Sequence, residues 1–456
     1  MKVLFVYVPN RHMTDRRIYP PLGILYLSAA LRRGGYHNIE FVDLNLLDDI
    51  TPAAIEAELA RHNADIVGVS FASPQFPYAR QVAQFYKERL GDEVLLVAGG
   101  VHATVEPVSV IERSSFDVAA VGEAEQTFVE LVRDYDRLGR TETFFESLRR
   151  PGFCLADRAS AQAVNFGKAL VGKYLDDLAI PDRSLIDWSQ YTRTLLGKRC
   201  AVLMTSRGCP HRCAFCATEH HERRVRFHSP EYVIREIAQI KQTVGTNHVL
   251  FLDDTLTTNR RRMVRICELI KQEHPDLVWR GWTRTDAIDQ ELLYLMRESG
   301  CYALCYGVES GSDAVLKRMR KGTTVEMNRR AIEMTKRAGI KCRASFIIGN
   351  PGDTQDTIDE TVDFLVATKP DDWLMSSFVP VPGSETYRHP ERFGIELFPE
   401  EIEANQWDNY FVIGYQEQSG RVFRFSDGRG PEWMQQMRDY AHRRLRRELP
   451  REKLTV

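Results

Sequence analysis

No stretch of this chain approaches the roughly 20 consecutive apolar residues that a bilayer-spanning helix requires. The short apolar run in the N-terminal MKVLFVYVPN is followed by no small-residue cleavage site, so it predicts a buried strand rather than an export signal. Charge of one sign is also scarce. The 61 basic and 63 acidic side chains leave a net charge of -2, which gives no general pull toward nucleic acid or anionic membrane. Internal repeats and low-complexity tracts are absent, which excludes a solenoid. The nine cysteines are odd in number and six of them are scattered, so no disulfide framework is indicated and a reducing cytoplasm is the expected compartment. What remains, 456 residues at 43% hydrophobic and 27% charged, is ordinary globular material for two or three domains.

The first 140 residues alternate short apolar runs (KVLFVYV, IEFVDL, ADIVGVSFAS, EVLLVAGG, FDVAAVG) with stretches of helical periodicity at 22–33, 52–61, 77–90 and 125–135. That pattern predicts an α/β fold with a doubly wound parallel sheet, which binds ligands beyond the carboxyl ends of its strands. Small residues gather at those ends: Ser70 after the third strand, Gly99 and Gly100 after the fourth, Gly122 and then Glu123 after the fifth. Residues 141–198 lose periodicity and read as a linker. From 199 to 385 strand-like runs return at AVLMTS, HVLFLDD, VWRGWTR, ALCYGVES, RASFIIG and WLMSSFV, with helical stretches between them, implying a partial (β/α)6 barrel. Residues 386–456 form an aromatic-rich C-terminal region that ends in a helix near 433–449, placed to close the barrel's open side; its arginines read as a solvated helix face.

The loop SRGCPHRCAFCAT follows the first barrel strand and gathers Cys209, Cys213 and Cys216 in the spacing C-x3-C-x2-C, with no fourth cysteine nearby. Thiolates select zinc, copper(I) and iron–sulfur clusters. Zinc needs a fourth ligand, which His211, His220 or His221 can supply. A [4Fe–4S] cluster held by three cysteines instead keeps one iron open to a small molecule. Barrel enzymes place their chemistry in the loops after the strands, which favours the open site.

With Phe215 before its last cysteine, the loop resembles the cluster loop of the radical S-adenosylmethionine superfamily. The resemblance implies that the open iron binds the amino and carboxylate groups of S-adenosylmethionine, and that one electron cleaves the sulfonium to release a 5'-deoxyadenosyl radical. Three further segments are similar to family segments at strand ends. LDDTLTTN puts Asp253 and Asp254 near the cofactor; GVESGSD offers Glu309 and Ser310 as contacts; FIIGNPGDT offers Ile348, Gly349 and Pro351 as an adenine cradle. Read without the family, Asp254 and Glu309 also suit helix starts, where the dipole favours carboxylates. Arg284, in WTRTD, suits either a bidentate grip on a carboxylate or a structural ion pair.

Upstream, PPLG, the Ser70 loop, GGVHATVEP and VGEAEQTF resemble the cobalamin-binding domain fused to many radical enzymes of this superfamily. Ser70, Gly99, Gly100 and Gly122 leave the room that a broad corrin and its nucleotide arm need. The D-x-H-x-x-G motif that places a histidine on cobalt is missing, so no protein histidine is expected there. His102 reads as a surface residue, and Gln75 and Phe76 as packing on the corrin or as helix-start contacts. The resemblance as a whole implies a class B radical S-adenosylmethionine methyltransferase-like enzyme. Its cofactors are a [4Fe–4S] cluster, S-adenosylmethionine and cobalamin, and it methylates an unactivated carbon of a small-molecule substrate. It further implies an external electron donor such as flavodoxin or ferredoxin, a monomer, and no nucleic-acid partner. Cyclisation, rearrangement or carbon–carbon coupling is the alternative within the family, and a zinc-stabilised nucleic-acid-binding protein is the alternative outside it. The scattered cysteines, including Cys301 and Cys305, read as small core residues, and Trp282, Tyr302 and Tyr306 as strand-end aromatics.

Overall fold

The computed structural model describes all residues except 12, 158–159, 161, 218–223, 399, 401–422 and 450–456. The chain forms two compact units, one of Met1–Lys173 with Asp177–Thr192, the other of Tyr174–Asp176 with the chain from Arg193 onward.

The first unit runs β1 (Val3–Tyr7), α1 (Leu22–Arg33), β2 (Ile39–Asp43), α2 (Pro52–Leu59), β3 (Ile66–Ser70), α3 (Phe76–Leu90), β4 (Leu95–Gly99), α4 (Val101–Val105), α5 (Pro107–Glu112), β5 (Val118–Ala120), α6 (Glu125–Leu138), α7 (Glu142–Ser147), β6 (Phe153–Ala156) and β7 (Ala163–Asn165). The sheet order is β2-β1-β3-β4-β5-β6-β7. Strands β1 to β5 are parallel, as expected; β1, β3, β4 and β5 are near-continuous apolar runs because helices cover both faces, while β2 at the edge is half-buried. The order reverses between β1 and β3, the position where such sheets open a crevice.

The stretch expected as a linker is largely built into this unit. Strands β6 and β7 add antiparallel to the β5 edge, and Phe144 and Phe153 are fully buried behind them. Both strands are short: β6 buries three residues in a row and β7 none fully, so neither gives a run long enough for periodicity to detect. Residues 177–192 return to the same unit. Asp182 accepts from Ser28 Oγ and Arg32 Nε, both at 2.7 Å, and Tyr191 donates to Asp43 at 2.8 Å.

The second unit begins with the hairpin β8 (Thr194–Leu195) and β9 (Lys198–Arg199). It continues through β10 (Ala201–Leu203), β11 (Ser206–Arg207), β12 (Arg226–Phe227), α8 (Pro230–Thr243), β13 (His248–Phe251), α9 (Arg260–Glu273), β14 (Val278–Thr283), α10 (Gln290–Glu298), β15 (Cys301–Glu309), α11 (Asp313–Arg318), α12 (Val325–Arg337), β16 (Lys341–Ile348), α13 (Gln355–Thr368), β17 (Asp372–Ser377), α14 (Glu385–Arg388), β18 (Ile395–Leu397), β19 (Phe423–Phe425) and α15 (Pro431–Glu448). The six main strands are parallel in the order β10-β13-β14-β15-β16-β17; the sheet does not close, so this is a partial barrel. Ser229, Asn259, Asp289, Thr324 and Thr354 each cap a following helix by accepting from a backbone N–H three residues on, which fixes where each crossover begins.

Helix α15 lies along α13. Tyr440 and Arg444 both donate to Asp359 at 2.7 Å, and Arg444 also reaches Asp363 at 2.6 Å. The face expected to be simply solvated therefore spends Arg444 on intramolecular ion pairs and buries Arg438. The six scattered cysteines are buried, as small core residues are.

Candidate functional site

Cys209, Cys213 and Cys216 are free thiols, half-buried on the loop between β11 and β12. A turn bonds Cys216 N to Cys213 O at 3.1 Å. Backbone bonds from Ala214 N to Met319 O (2.9 Å) and from Thr386 N to Ala214 O (3.1 Å) clamp the loop on two sides. Asp253 fixes the strand feeding the loop: it accepts from Thr205 N at 3.2 Å, from Thr205 Oγ1 at 2.7 Å and from the Ser206 hydroxyl, while Arg262 Nη2 donates to Thr205 O at 2.8 Å. Burial pushes the Asp253 carboxyl up, and those donors oppose it. Its oxygens are committed to the backbone and hydroxyls of the chain, so Asp253 positions the loop, whereas sequence placed it against the cofactor. Asp254 beside it is exposed.

Two cations stand near Cys213. Arg284, 5% exposed, forms a bidentate pair with Asp286 (2.9 and 2.8 Å), donates to Lys321 O at 2.7 Å and points Nη1 at the Cys213 sulfur, 3.7 Å away. The carboxylate gripped by Arg284 is thus its neighbour's. Arg284 makes the ion pair that one reading of the sequence offered and keeps Nη1 for the thiol. Lys321 Nζ lies 2.9 Å from Glu309 and over the Phe215 ring at 5.8 Å. Burial pushes the Cys213 thiol up; Lys321 and then Arg284 pull it down toward thiolate. Glu309 holds φ at +69°, a left-handed conformation that is costly for glutamate and recurs at functional sites. Gly307 makes room for it, since a Cβ there would sit 2.3 Å from Glu309 Oε1.

Ser310 is buried, accepts from Ser312 N at 3.1 Å and lies 3.4 Å from the Thr361 hydroxyl. Ile348, Gly349 and Pro351 form a buried turn after β16, in which Asp353 Oδ2 takes the N–H groups of Gly349 (2.9 Å) and Asn350 (2.8 Å). Gly349 has φ +83° and backs onto Met434 of α15, where a Cβ would meet Cγ at 2.3 Å. The structure therefore brings Cys209, Cys213, Phe215, Arg284 and Glu309 together, and adds Lys321 and Asp286, which no motif marks. Lys321 follows a left-handed Arg320 twelve residues beyond Glu309, a spacing without periodic signal.

Among the described residues no three His, Cys, Asp or Glu side chains converge on a single-ion site. A cluster needs no such convergence, because each thiolate bonds a different iron; the three-thiol set flanked by two cations fits a [4Fe–4S] cluster. His220 and His221 lie outside the described residues.

In the first unit a cavity of about 50 Å³ opens at the carboxyl ends of β3 and β4, lined by Ser70, Gly99, Gly100, Ala120 and Phe128 among others. Gly100, at φ +91°, packs against Phe71 backbone with no room for a Cβ, whereas a Cβ on Gly99 would meet nothing nearer than Val69 O at 3.8 Å. Gly99 thus keeps the cleft open, which suits a flat ligand. Gly122 donates to Thr104 Oγ1 at 3.1 Å and backs onto Ala169; Glu123 beside it is half-buried. His102 is 1% exposed, bonded through Nδ1 to Ser73 at 2.9 Å and packed on Phe71 and Phe76, so it is a core residue and not the expected surface one; burial drops its pKa to about 3. Gln75 bonds Ala72 N and Val8 O, and Phe76 stacks on Phe71; both are committed to the fold rather than to a corrin.

Comparison with known proteins agrees with both halves. The radical SAM superfamily model matches residues 203–365 and the B12 binding domain model matches residues 14–132. An uncharacterised methyltransferase of Pyrococcus horikoshii is 30% identical over 394 residues, covering 85% of this chain and 83% of that one. The anaerobic magnesium-protoporphyrin IX monomethyl ester cyclase of Rubrivivax gelatinosus is 29% identical over 405 residues, covering 85% and 70%. Among solved structures, the cobalamin-dependent S-adenosylmethionine radical enzyme OxsB aligns with TM-score 0.68 at 21% identity, over 98% of this chain; the chain spans 61% of OxsB. The family's cofactors are S-adenosylmethionine, a [4Fe–4S] cluster and cobalamin, which takes the place of the zinc alternative. The chain belongs to the radical SAM superfamily, as an enzyme in which a B12-binding domain precedes the radical SAM domain.

Proposed function

We propose that this enzyme methylates an unactivated carbon of a small-molecule substrate. The observation that carries the reading is the three-thiol loop with Arg284 and Lys321 beside Cys213, in a chain whose other unit opens a glycine-lined cleft. When bound, the cluster and S-adenosylmethionine supply a carbon radical and cobalamin supplies the methyl group.

Cys209, Cys213 and Cys216 would hold the cluster, and the two cations favour the thiolate form of Cys213. Lys321 and Glu309, nearly buried at the end of β15, present an ammonium and a carboxylate; together they complement the carboxylate and amino groups of the methionyl moiety. Asp254 is exposed beside the loop, Ser310 buttresses the β15 end, and the turn at Ile348, Gly349 and Pro351 is offered to adenine. Ser70, Gly99 and Gly100 line the cleft that would take the corrin, and Gly122 and Glu123 follow the end of the neighbouring strand β5. Electrons come from an external flavodoxin or ferredoxin, the chain acts as a monomer, and its nine free cysteines suit the cytoplasm.

Anaerobic incubation of the reconstituted protein with S-adenosylmethionine and a strong reductant tests this: S-adenosylhomocysteine and 5'-deoxyadenosine are both expected, and neither with Cys213→Ser. The likeness to a cyclase supports a second reading, radical cyclisation, for which 5'-deoxyadenosine appears without S-adenosylhomocysteine. Absence of both products from the wild-type protein refutes either reading.

A further inference from the structure

Trp282, Cys305, Arg343 and Asp372 are partners in register across β14, β15, β16 and β17, so they share one face of the sheet. Arg280 lies two residues before Trp282 and shares it, its guanidinium 5.3 Å from the Trp282 ring. The opposite face carries the helices, as the bond between Tyr306 and Thr335 of α12 shows, so Arg280 faces the concave side of the partial barrel. The mechanism above makes no use of it.

Arg280 is 4% exposed. The charged or titratable groups facing it are Cys305, Arg193, Arg343 and Cys200. Among the described residues no carboxylate pairs with it and no oxygen accepts a hydrogen bond from it. The nearby carboxylate, Asp372, is taken by Arg343, with Nε to Oδ2 at 2.8 Å. Arg193 and Arg343 add like charge beside Arg280; burial and those like charges hold it below the ordinary arginine range. A buried cation without a counter-charge is costly, and a chain that keeps one has an anion to meet it. Arginine's planar fork suits carboxylate or phosphate, which it grips with two parallel bonds.

We propose that Arg280, with Arg343 beside it, forms an anion-binding site on the concave floor of the barrel that holds a carboxylate or phosphate group of the substrate. The proposal deepens the methyl-transfer reading and rests on it for the identity of the ligand as substrate. Arg280 pairs in register with Ala303, six residues before Glu309 on β15, so the anion site lies ~20 Å along the strand from the Glu309 end at the usual strand rise.

Equilibrium dialysis of the full-length reconstituted protein against labelled inorganic phosphate, and separately against acetate, tests the site. Wild type is expected to bind one of the two probes saturably, Arg280→Met at least tenfold more weakly, and Arg260→Met, which removes an exposed arginine paired with Asp289, as wild type does. The probe that binds tells phosphate from carboxylate. Thermal melting in probe-free buffer gives a second readout: Arg280→Met should melt no lower than wild type, because it removes an uncompensated charge. The proposal is overturned if wild type binds neither probe saturably, if Arg280→Met binds as wild type does, or if that variant melts well below wild type, which would make Arg280 structural. Because dialysis needs no turnover, loss of this site and loss of S-adenosylmethionine cleavage are separate results.

Discussion

Gly99 and Gly100 are adjacent, yet the structure asks different things of them, and alanine at each position separates the two demands. Gly100 has φ 91° and ψ -171°, a region open in practice only to glycine, where any other residue costs ~1–3 kcal/mol. An added Cβ would also sit 2.5 Å from Phe71 O and 2.8 Å from Phe71 N, both backbone atoms that cannot swing aside. Relieving that overlap costs a further ~1–3 kcal/mol. Gly100→Ala should therefore lose about 2–6 kcal/mol, or roughly 5–20 °C in the melting of the first unit. Urea and thermal unfolding check it, reading the first transition because two units need not unfold together. Gly99→Ala meets nothing within 3.4 Å and should leave stability within ~0.5 kcal/mol of wild type. Its methyl group enters the cleft, however, and corrin absorbance retained after gel filtration should fall at least tenfold relative to wild type. Equal stability losses at the two glycines, or full cobalamin retention by Gly99→Ala, would refute the division of labour.

Cys213→Ser should drop iron from about four per chain to below one, measured by metal analysis after anaerobic reconstitution. Arg284→Met breaks the pair with Asp286, which is itself exposed, and removes a donor from Cys213; a stability loss of about 1–2 kcal/mol by urea titration is expected, and no measurable loss would show the pair to be idle. Asp353 is buried, and burial raises its carboxyl from 3.8 to about 6. A raised folded-state value means that its contribution is fully present below pH ~4 and is lost as pH rises through 6, ~3 kcal/mol in all. The stability of wild type relative to Asp353→Asn should fall by about that amount between pH 4 and pH 7, and a flat difference would count against it.

Much of this was legible in residue order. The parallel strands announce themselves as apolar runs, and the spacing of Cys209, Cys213 and Cys216 marks a thiolate site whose metal the loop's place after the first barrel strand helps to choose. What stayed hidden depends on partners far apart in sequence. The edge strand β7 escapes detection because it buries little, and β6 because three buried residues make too short a run; His102 looked exposed because nothing local says that Phe71 and Phe76 will close over it. Arg284 fitted two roles equally until Asp286 was seen in its fork, and Asp253 resembled a cofactor contact until Thr205, 48 residues earlier, claimed its oxygens. Lys321 and Arg280 carry no motif at all; only the fold gives the one a glutamate and the other none.

Residues 177–192 belong to the first unit although residues 174–176 belong to the second. A nascent chain therefore cannot complete its leading half when the fifth parallel strand emerges; it must wait for Asp182 to reach Arg32 and for Tyr191 to reach Asp43. At ordinary elongation speeds the ribosome takes about 10–40 s to arrive at Thr192. Until then the leading half lacks the ties those residues provide, and a protease that cuts near residue 175 would leave a fragment missing its last fasteners.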